Sequence, residues 1–288
     1  MAKIGIVLSG AGSKGAYEIG CIRAIEDHFG LQSIKCVSSA SIGALITQAY
    51  GSGKLDQFAD KWKNLDTEIH GRVFLSYCSK DGIFDMIKDV VHNDKGMPFE
   101  HYVSVWNYTR HRSEYIPFHK LENNELTDYM KAAIAVPVFS KGVVVKGDRI
   151  LDGALLDNIP AYPLIDKDLD YIFCIYFDNH KYFFENKCFN QKLIKLFDFP
   201  NEKRLDLFTQ SKAQFDEMMN YGYEYTTNII KKLFVHDDKE QVYKAIEEYD
   251  SNLDCEYKPR LTADVVLNNI NVMTKRYSKR LTNRTKVK

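Results

Sequence analysis

The ten residues VSSASIGALI, Val37 to Ile46, decide how we interpret the rest of this sequence. They lead from a short apolar run, through small residues, into an Ala- and Leu-containing segment that is typical of a helix. A serine at such a strand-to-helix turn has an exposed hydroxyl and a helix N-terminus behind it, which is the geometry that a nucleophile needs. Ser41 is therefore our leading candidate for a reacting residue.

The pattern around Ser41 departs from G-x-S-x-G, because Ser39 occupies the place of the first glycine while Gly43 keeps the second. Glycine at these places lets the strand and the helix approach closely, and serine is itself small. An alternative is that the serines only cap the helix, which is a frequent use of serine. The motif alone leaves both interpretations open.

Upstream, the sequence predicts alternating strands and helices. The apolar run that ends at Leu8 is typical of a strand buried on both faces of a parallel sheet. A glycine-rich turn follows, residues 16–29 have helical spacing, and 34–37 form a second apolar run. This rhythm predicts an α/β fold with three layers, α/β/α, around a central and mostly parallel sheet.

The glycine loop, Gly10 to Gly15, has the spacing G-x-G-x-x-G between a predicted strand and a predicted helix. A dinucleotide site would also need an acidic residue about 20 positions later, where Cys36 to Ser39 stand. A P-loop would need a Lys-Ser or Lys-Thr pair, but Ala16 follows Gly15. What remains is a set of backbone N–H groups suited to an anion, either a phosphate or a developing oxyanion.

The rest of the chain divides into two parts. We predict helices over 55–65, 84–91 and 126–135, strands over 101–108 and 171–177, and a hairpin over 142–151. After about residue 180 the strands disappear from the prediction, and helical periods cover 204–233, 240–249 and 263–280. We therefore expect an α/β catalytic domain over 1–180 and a helical C-terminal part over 181–288 that packs on or caps the same domain.

Asp152 and Gly153 come directly after a predicted strand. A carboxylate at this place can lie at the same edge of the sheet as Ser41 and act as its base. The alternative is an ordinary turn aspartate followed by a glycine.

Taken together, four motifs resemble the patatin-like phospholipase family. They are the glycine loop with Lys14, the turn at Ser41, the small-residue and proline segment Ala132 to Phe139, and Asp152-Gly153. Their order and spacing match that family over about residues 3 to 178, and four weak motifs in one order are together specific.

The resemblance implies a pair of catalytic residues without a histidine. Ser41 attacks an ester carbonyl, and Asp152 takes its proton and returns it. The oxyanion is held by backbone N–H groups of the glycine loop and of the helix start, namely Gly10, Ala11, Gly12 and Ile42. The supporting positions are Lys14, Gly15, Gly43 and Gly153. Departures from the family pattern are Ser39, Ala11 and Ala154.

The function expected from this resemblance is a lipid acyl hydrolase that acts on phospholipid or lysophospholipid esters, with no metal and no cofactor. One alternative is an acyltransferase with the same two residues. Others are an NAD(P)-binding Rossmann protein, and a lipid-binding family member weakened by Ser39. Aromatic residues of the C-terminal part form either an acyl-chain pocket or ordinary core; these are Phe208, Phe215, Tyr221, Tyr223 and Tyr225.

The composition of the chain bears on its possible binding partners and on the cell compartment in which we expect it. Lys and Arg total 39, as do Asp and Glu, so net charge gives no argument for nucleic acid. Six dispersed cysteines predict reduced thiols in a cytoplasmic protein, and the N-terminal apolar run is too short for a signal peptide. From Val265 onward the chain is basic without an acidic residue, which predicts either peripheral contact with an anionic membrane or a solvated tail. The oligomeric state is not predicted.

Overall fold

The structure is a computed structural model that describes residues 1–64, 81–91, 96–137, 140–177, 180–184, 186–197, 211–253 and 255–259. Ten strands are described: β1 Ile4–Leu8, β2 Ile34–Ala40, β3 Glu100–Asn107, β4 Arg112–Pro117, β5 Val143–Val145, β6 Asp148–Asp152, β7 Tyr171–Ile175, β8 His180–Phe183, β9 Leu193–Leu196 and β10 Glu256–Pro259. The described α-helices are α1 Gly15–Phe29, α2 Ile42–Gly51, α3 Leu55–Lys63, α4 Asp81–Val91, α5 Asn123–Ala133, α6 Lys187–Asn190, α7 Lys212–Leu233 and α8 Lys239–Ser251. None of these helices is long and apolar enough to cross a bilayer.

The main sheet has the order β5-β6-β3-β2-β1-β7-β9, with β4 paired to β3. Five neighbouring strands, β3, β2, β1, β7 and β9, are parallel to one another. At one end of the sheet, β4 and β6 both pair antiparallel with β3, and β5 pairs antiparallel with β6. Side chains of β1 alternate between two cores, with Ile6 in the larger one and Val7 in the smaller one across the sheet. The predicted α/β fold, a mostly parallel sheet flanked by helices with a helical C-terminal region, is confirmed.

The prediction that strands disappear after residue 180 is wrong. β9 joins the main sheet beside β7, and β8 pairs with β10 in a small second sheet. The sequence of β9, LIKL, contains Lys195, which is buried and paired with Asp250 of α8. The division at residue 180 remains a prediction, and the helix predicted over 263–280 lies outside the described residues.

The C-terminal helix α7 crosses α1 at very short range, because a glycine on each helix faces the backbone of the other. A Cβ added at Gly20 would lie 2.0 Å from the carbonyl oxygen of Met219, and one added at Gly222 would lie 2.3 Å from that of Tyr17. Since α1 begins at the end of the glycine loop, α7 supports the element that carries the loop.

Candidate active site

Two strands of the main sheet meet end to end along one edge of β3. β2 pairs with the first part of β3, up to Ala40 opposite Ser104. β6 pairs with the next part, where Asp152 is opposite Val105, while β4 covers the other edge along both parts. Ser41 follows the last residue of β2, and Asp152 is the last residue of β6. The register of β3 therefore brings these two predicted residues to the same point.

The predicted turn at Ser41 is present and is strained. Ser41 has φ 54° and ψ −129°, a region that non-glycine residues rarely adopt and that is typical of functional sites. α2 begins directly after it, and the Ser41 carbonyl accepts a hydrogen bond of 2.9 Å from the N–H of Ala44. Gly43 lets α2 lie close to β1, because a Cβ there would be 3.1 Å from the Cβ of Leu8.

Asp152 is 2% exposed, and its main chain and side chain are both held. Its N–H donates to the carbonyl of Ala135, 3.0 Å away, and its Oδ1 accepts a hydrogen bond of 2.9 Å from the N–H of Ala154. Burial raises the pKa of Asp152 from 3.8 to about 6, although hydrogen bonding from the Ser41 hydroxyl and from Ala154 lowers it. A carboxyl group whose pKa lies close to neutral pH is well suited to accept and return a proton.

The segment 132–139 contributes through Ala135, just after the end of α5 at Ala133. The Ala135 carbonyl accepts the hydrogen bond that holds the backbone of Asp152. Val138 and Phe139 lie outside the described residues. Pro137 follows within this segment, where the chain has left the helix.

Gly10 packs directly beside Ser41. A Cβ at Gly10 would lie 3.2 Å from the Cβ of Ser41 and 2.5 Å from Oδ1 of Asn158. The Gly10 N–H donates to that Oδ1 at 2.9 Å, so it is already engaged. Gly10 therefore keeps the space beside Ser41 open, and Asn158, to which we assigned no role from the sequence, holds the loop.

The N–H groups of Ala11 and Gly12 have no acceptor among the described residues. Gly12 has φ 56°, a left-handed conformation that suits glycine. The N–H of Ile42 belongs to the first turn of α2, where helix N–H groups lack partners within the helix. Among the described residues, these three are the predicted oxyanion donors whose N–H groups are not engaged in a hydrogen bond that the structure shows.

The remaining supporting positions have steric or aromatic contacts. A Cβ at Gly15 would lie 2.6 Å from the indole ring of Trp62, and one at Gly153 would lie 2.4 Å from the carbonyl carbon of Ser104. Gly153 thus lets the chain turn sharply over β3 directly after Asp152. The Lys14 ammonium lies 5.6 Å from the ring centroid of Phe177, at the end of β7.

Ser39, the residue in place of the usual glycine, has a buried partner that we did not predict. Its Oγ lies 3.0 Å from Nε2 of His101, and both side chains are fully buried. Burial, and then the nearby His119, lower the pKa of His101 to about 3, so the ring is neutral. The extra hydroxyl is therefore satisfied behind the turn while Ser41 keeps its positive φ. No local motif marks His101, since only the sheet register brings it to Ser39.

Four of the five C-terminal aromatic residues named above lie in the described part of the chain. Phe215 is buried in the main core, and the rings of Tyr221 and Tyr225 stack with centroids 6.0 Å apart. Tyr223 is exposed and donates to Asp27. Phe208 lies outside the described residues.

The place where a dinucleotide site needs a carboxylate holds Cys36 to Ser39, and burial raises the pKa of the Cys36 thiol to about 12. In the described part of the chain, no group of three His, Cys, Asp or Glu side chains is arranged to hold a metal ion.

Comparison with known proteins gives matches to one family. The model of the family described as patatin-like phospholipase matches residues 6–165. Lysophospholipase NTE1 of Cryptococcus neoformans is 26% identical over 178 residues, which cover 56% of this chain and 10% of that protein. An uncharacterized NTE family protein of Mycobacterium bovis is 24% identical over 176 residues, 58% of this chain and 47% of that protein. The chain thus spans about half, or much less, of these relatives' lengths.

Among solved structures, VipD from Legionella pneumophila aligns with a TM-score of 0.47 and 15% identity. The alignment covers 96% of this chain and 77% of the VipD chain.

Proposed function

This chain belongs to the patatin-like phospholipase family, and we propose that it is a lipid acyl hydrolase that cleaves phospholipid or lysophospholipid esters through an acyl-enzyme at Ser41. The observation that carries the proposal is the Ser41 hydroxyl, placed on a strained turn and within hydrogen-bonding reach of the buried Asp152. The lysophospholipase name of a relative supports the substrate class.

In the first step, the Asp152 carboxylate accepts the Ser41 proton while Oγ attacks the ester carbonyl carbon. The negative charge that develops on the carbonyl oxygen is held by the N–H groups of Ala11, Gly12 and Ile42, helped by the positive end of α2. The carbon–oxygen bond to the alcohol then breaks, and the alcohol leaves with the proton held by Asp152. The acyl group remains on Ser41.

In the second step, water replaces the alcohol. Asp152 takes a proton from the water, whose oxygen attacks the acyl carbon, and the same N–H groups hold the oxyanion again. Collapse breaks the bond to Oγ, and Ser41 recovers its proton from Asp152. The products are a free fatty acid and the alcohol part of the lipid.

A fluorophosphonate probe tests the nucleophile, because it labels only activated serines. We expect intact-mass analysis to show one adduct, peptide mapping to place it on Ser41, and Ser41→Ala to abolish it. Ser52→Ala is the matched control, since Ser52 lies at the other end of α2 and should leave the label intact. An unlabelled parent protein, or a label that survives Ser41→Ala, would contradict the proposed function.

The pH dependence of ester hydrolysis follows from the raised pKa of Asp152. Asp152 can accept the proton only when it is ionised, so activity should be present above about pH 6 and be lost as the pH falls through about 6. The profile of kcat/KM on a soluble ester measures this midpoint. A midpoint near the ordinary aspartate value of about 4 would show that the base is not a buried carboxyl.

A further inference from the structure

One face of the antiparallel end of the sheet is rich in aromatic side chains. Ser104 and Trp106 of β3 share this face with Tyr115 of β4, because successive residues alternate and cross-strand partners face the same way. On the opposite face of β3, Val103 and Val105 lie in the main core. On the Trp106 face, Tyr102 packs against the smaller core, whereas Trp106 and Tyr115 are only partly buried.

Four large apolar side chains around this face are well exposed. They are Tyr108 at 46%, Val144 at 60%, Leu155 at 66% and Tyr162 at 49%. Ring contacts join the two tyrosines to the sheet, with 5.3 Å between the centroids of Trp106 and Tyr108 and 5.7 Å between those of Tyr115 and Tyr162. We call these four residues, together with Trp106 and Tyr115, the aromatic patch. Exposed apolar groups gathered in this way mark interaction sites.

The aromatic patch adjoins the candidate active site. Leu155 directly follows Ala154, whose N–H is bonded to Asp152. A Cβ at Gly10 would lie 2.8 Å from the Cβ of Ala154 and 3.2 Å from that of Ser41, so both residues lie beside Gly10. Leu155 is therefore one residue away along the chain from a group that packs beside the same glycine as Ser41.

The charge around the aromatic patch has an excess of positive groups. The two hairpins and the segments that contact them carry five basic side chains and four carboxylates: Arg110, Arg112, Lys141, Lys146 and Arg149, with Glu114, Glu125, Asp148 and Asp157, which accepts a hydrogen bond from Tyr115. Arg110, Arg112 and Lys146 are each paired with a carboxylate.

Arg149 lies in the centre of this surface. It is opposite Val144 on β5, and its carbonyl accepts from the N–H of Tyr108 on its other side. Its guanidinium donates to the carbonyl of Lys141 and has no carboxylate partner in the described part of the chain. An unneutralised cation between exposed apolar side chains is complementary to an anionic headgroup above acyl chains.

We propose that the aromatic patch docks the protein on an anionic phospholipid surface, with Leu155, Val144 and the tyrosine rings at the depth of the headgroups and Arg149 on a lipid phosphate. Tyrosine and tryptophan suit this boundary because one end is apolar and the other polar. The inference rests on the proposed function, since docking there brings the segment beside Ser41 close to the layer that holds the ester bonds.

Vesicle sedimentation with the full chain tests docking separately from catalysis when all variants carry Ser41→Ala. The probes are vesicles of phosphatidylcholine alone and of phosphatidylcholine mixed with phosphatidylglycerol. We expect the parent to bind the mixed vesicles more tightly, and added salt to weaken that binding. Arg149→Glu, and separately Val144→Asp with Leu155→Asp, should each weaken it by about tenfold or more.

The matched controls lie near the starts of two parallel strands, at the end of the sheet opposite to Ser41. Val235 is 68% exposed, and its neighbour Phe234 contacts Tyr171 at the start of β7. Lys35 is exposed at the start of β2. Val235→Asp and Lys35→Glu should therefore bind mixed vesicles as the parent does, and thermal melts should show all variants folded.

Several outcomes would overturn the docking proposal. One is a parent that binds neither vesicle; another is equal binding to both vesicles. A third is unchanged binding by folded patch variants, including the case in which only replacement of the basic residues after Val265 lowers it. If fluorophosphonate labelling fails while the patch variants still lose vesicle binding, the proposed function falls and the docking surface stands.

Discussion

Asp152→Asn should lower the turnover of a soluble ester by roughly 10²–10⁴-fold, because asparagine cannot accept the proton of Ser41. The same substitution should not destabilise the fold. The rise in the pKa of Asp152 from 3.8 to about 6 corresponds to a cost of about 3 kcal/mol for ionising this buried group. A neutral amide of nearly the same shape avoids that cost above pH 6. The variant should therefore unfold at the same temperature as the parent, or a higher one, at pH 8.

Two measurements check this result: steady-state hydrolysis and thermal unfolding at the same pH. Asp168→Asn is the matched control, because Asp168 is an exposed carboxylate paired with Lys3 and far from Ser41 in the sheet. That variant should keep both turnover and stability. If Asp152→Asn hydrolyses the ester at the parental rate, Asp152 is not the base; if it loses both activity and stability, its role is structural.

Gly222→Val should lower the free energy of unfolding by about 3 kcal/mol, and the melting temperature by roughly 5–10 °C. The new side chain would collide with backbone atoms of Tyr17 on α1, which cannot move aside as a flexible side chain would. Gly20→Val should act in the same way from the other helix, because its Cβ would meet the backbone of Met219. The two helices would have to separate, and the core between them would lose contacts.

Chemical denaturation and calorimetry measure this loss. Gly53→Asn is the matched control, since a Cβ there meets nothing within 4 Å, and asparagine tolerates the φ of +69°. We expect that control to stay within about 1 kcal/mol of the parent. Parental stability in both valine variants would mean that α1 and α7 do not cross at this distance in solution.

Much of the fold was predictable because the chain obeys local rules. β1 is apolar throughout, and α1 and α2 have helical spacing after glycine and serine turns, so the order of elements in the first fifty residues was predicted, although β2 extends three residues further than predicted, to Ala40. Ser41 was predictable for the same reason, since the turn that strains it consists of neighbouring residues. Asp152 was predictable only by resemblance, because an isolated Asp-Gly has no local signal of its partner.

The features that were missed depend on contacts between distant residues. β9 is short and contains Lys195, and only the carboxylate of Asp250, 55 positions later, makes burial of that lysine possible. The pairing of Ser39 with His101 needs the register of β2 on β3. Asn158 is bonded to a glycine 148 positions before it. Each interaction is set by tertiary structure, which local periodicity does not encode.

The end-to-end meeting of β2 and β6 along β3 has a consequence during synthesis of the chain. The chain leaves the ribosome N-terminus first, so Ser41 emerges about 110 residues before Asp152. Until β3 has paired with both strands, the serine has no partner for its proton. Under the proposed function, the nascent chain therefore does not hydrolyse lipid. Hydrolysis begins only after residue 152 has been synthesised and both β2 and β6 have paired with β3.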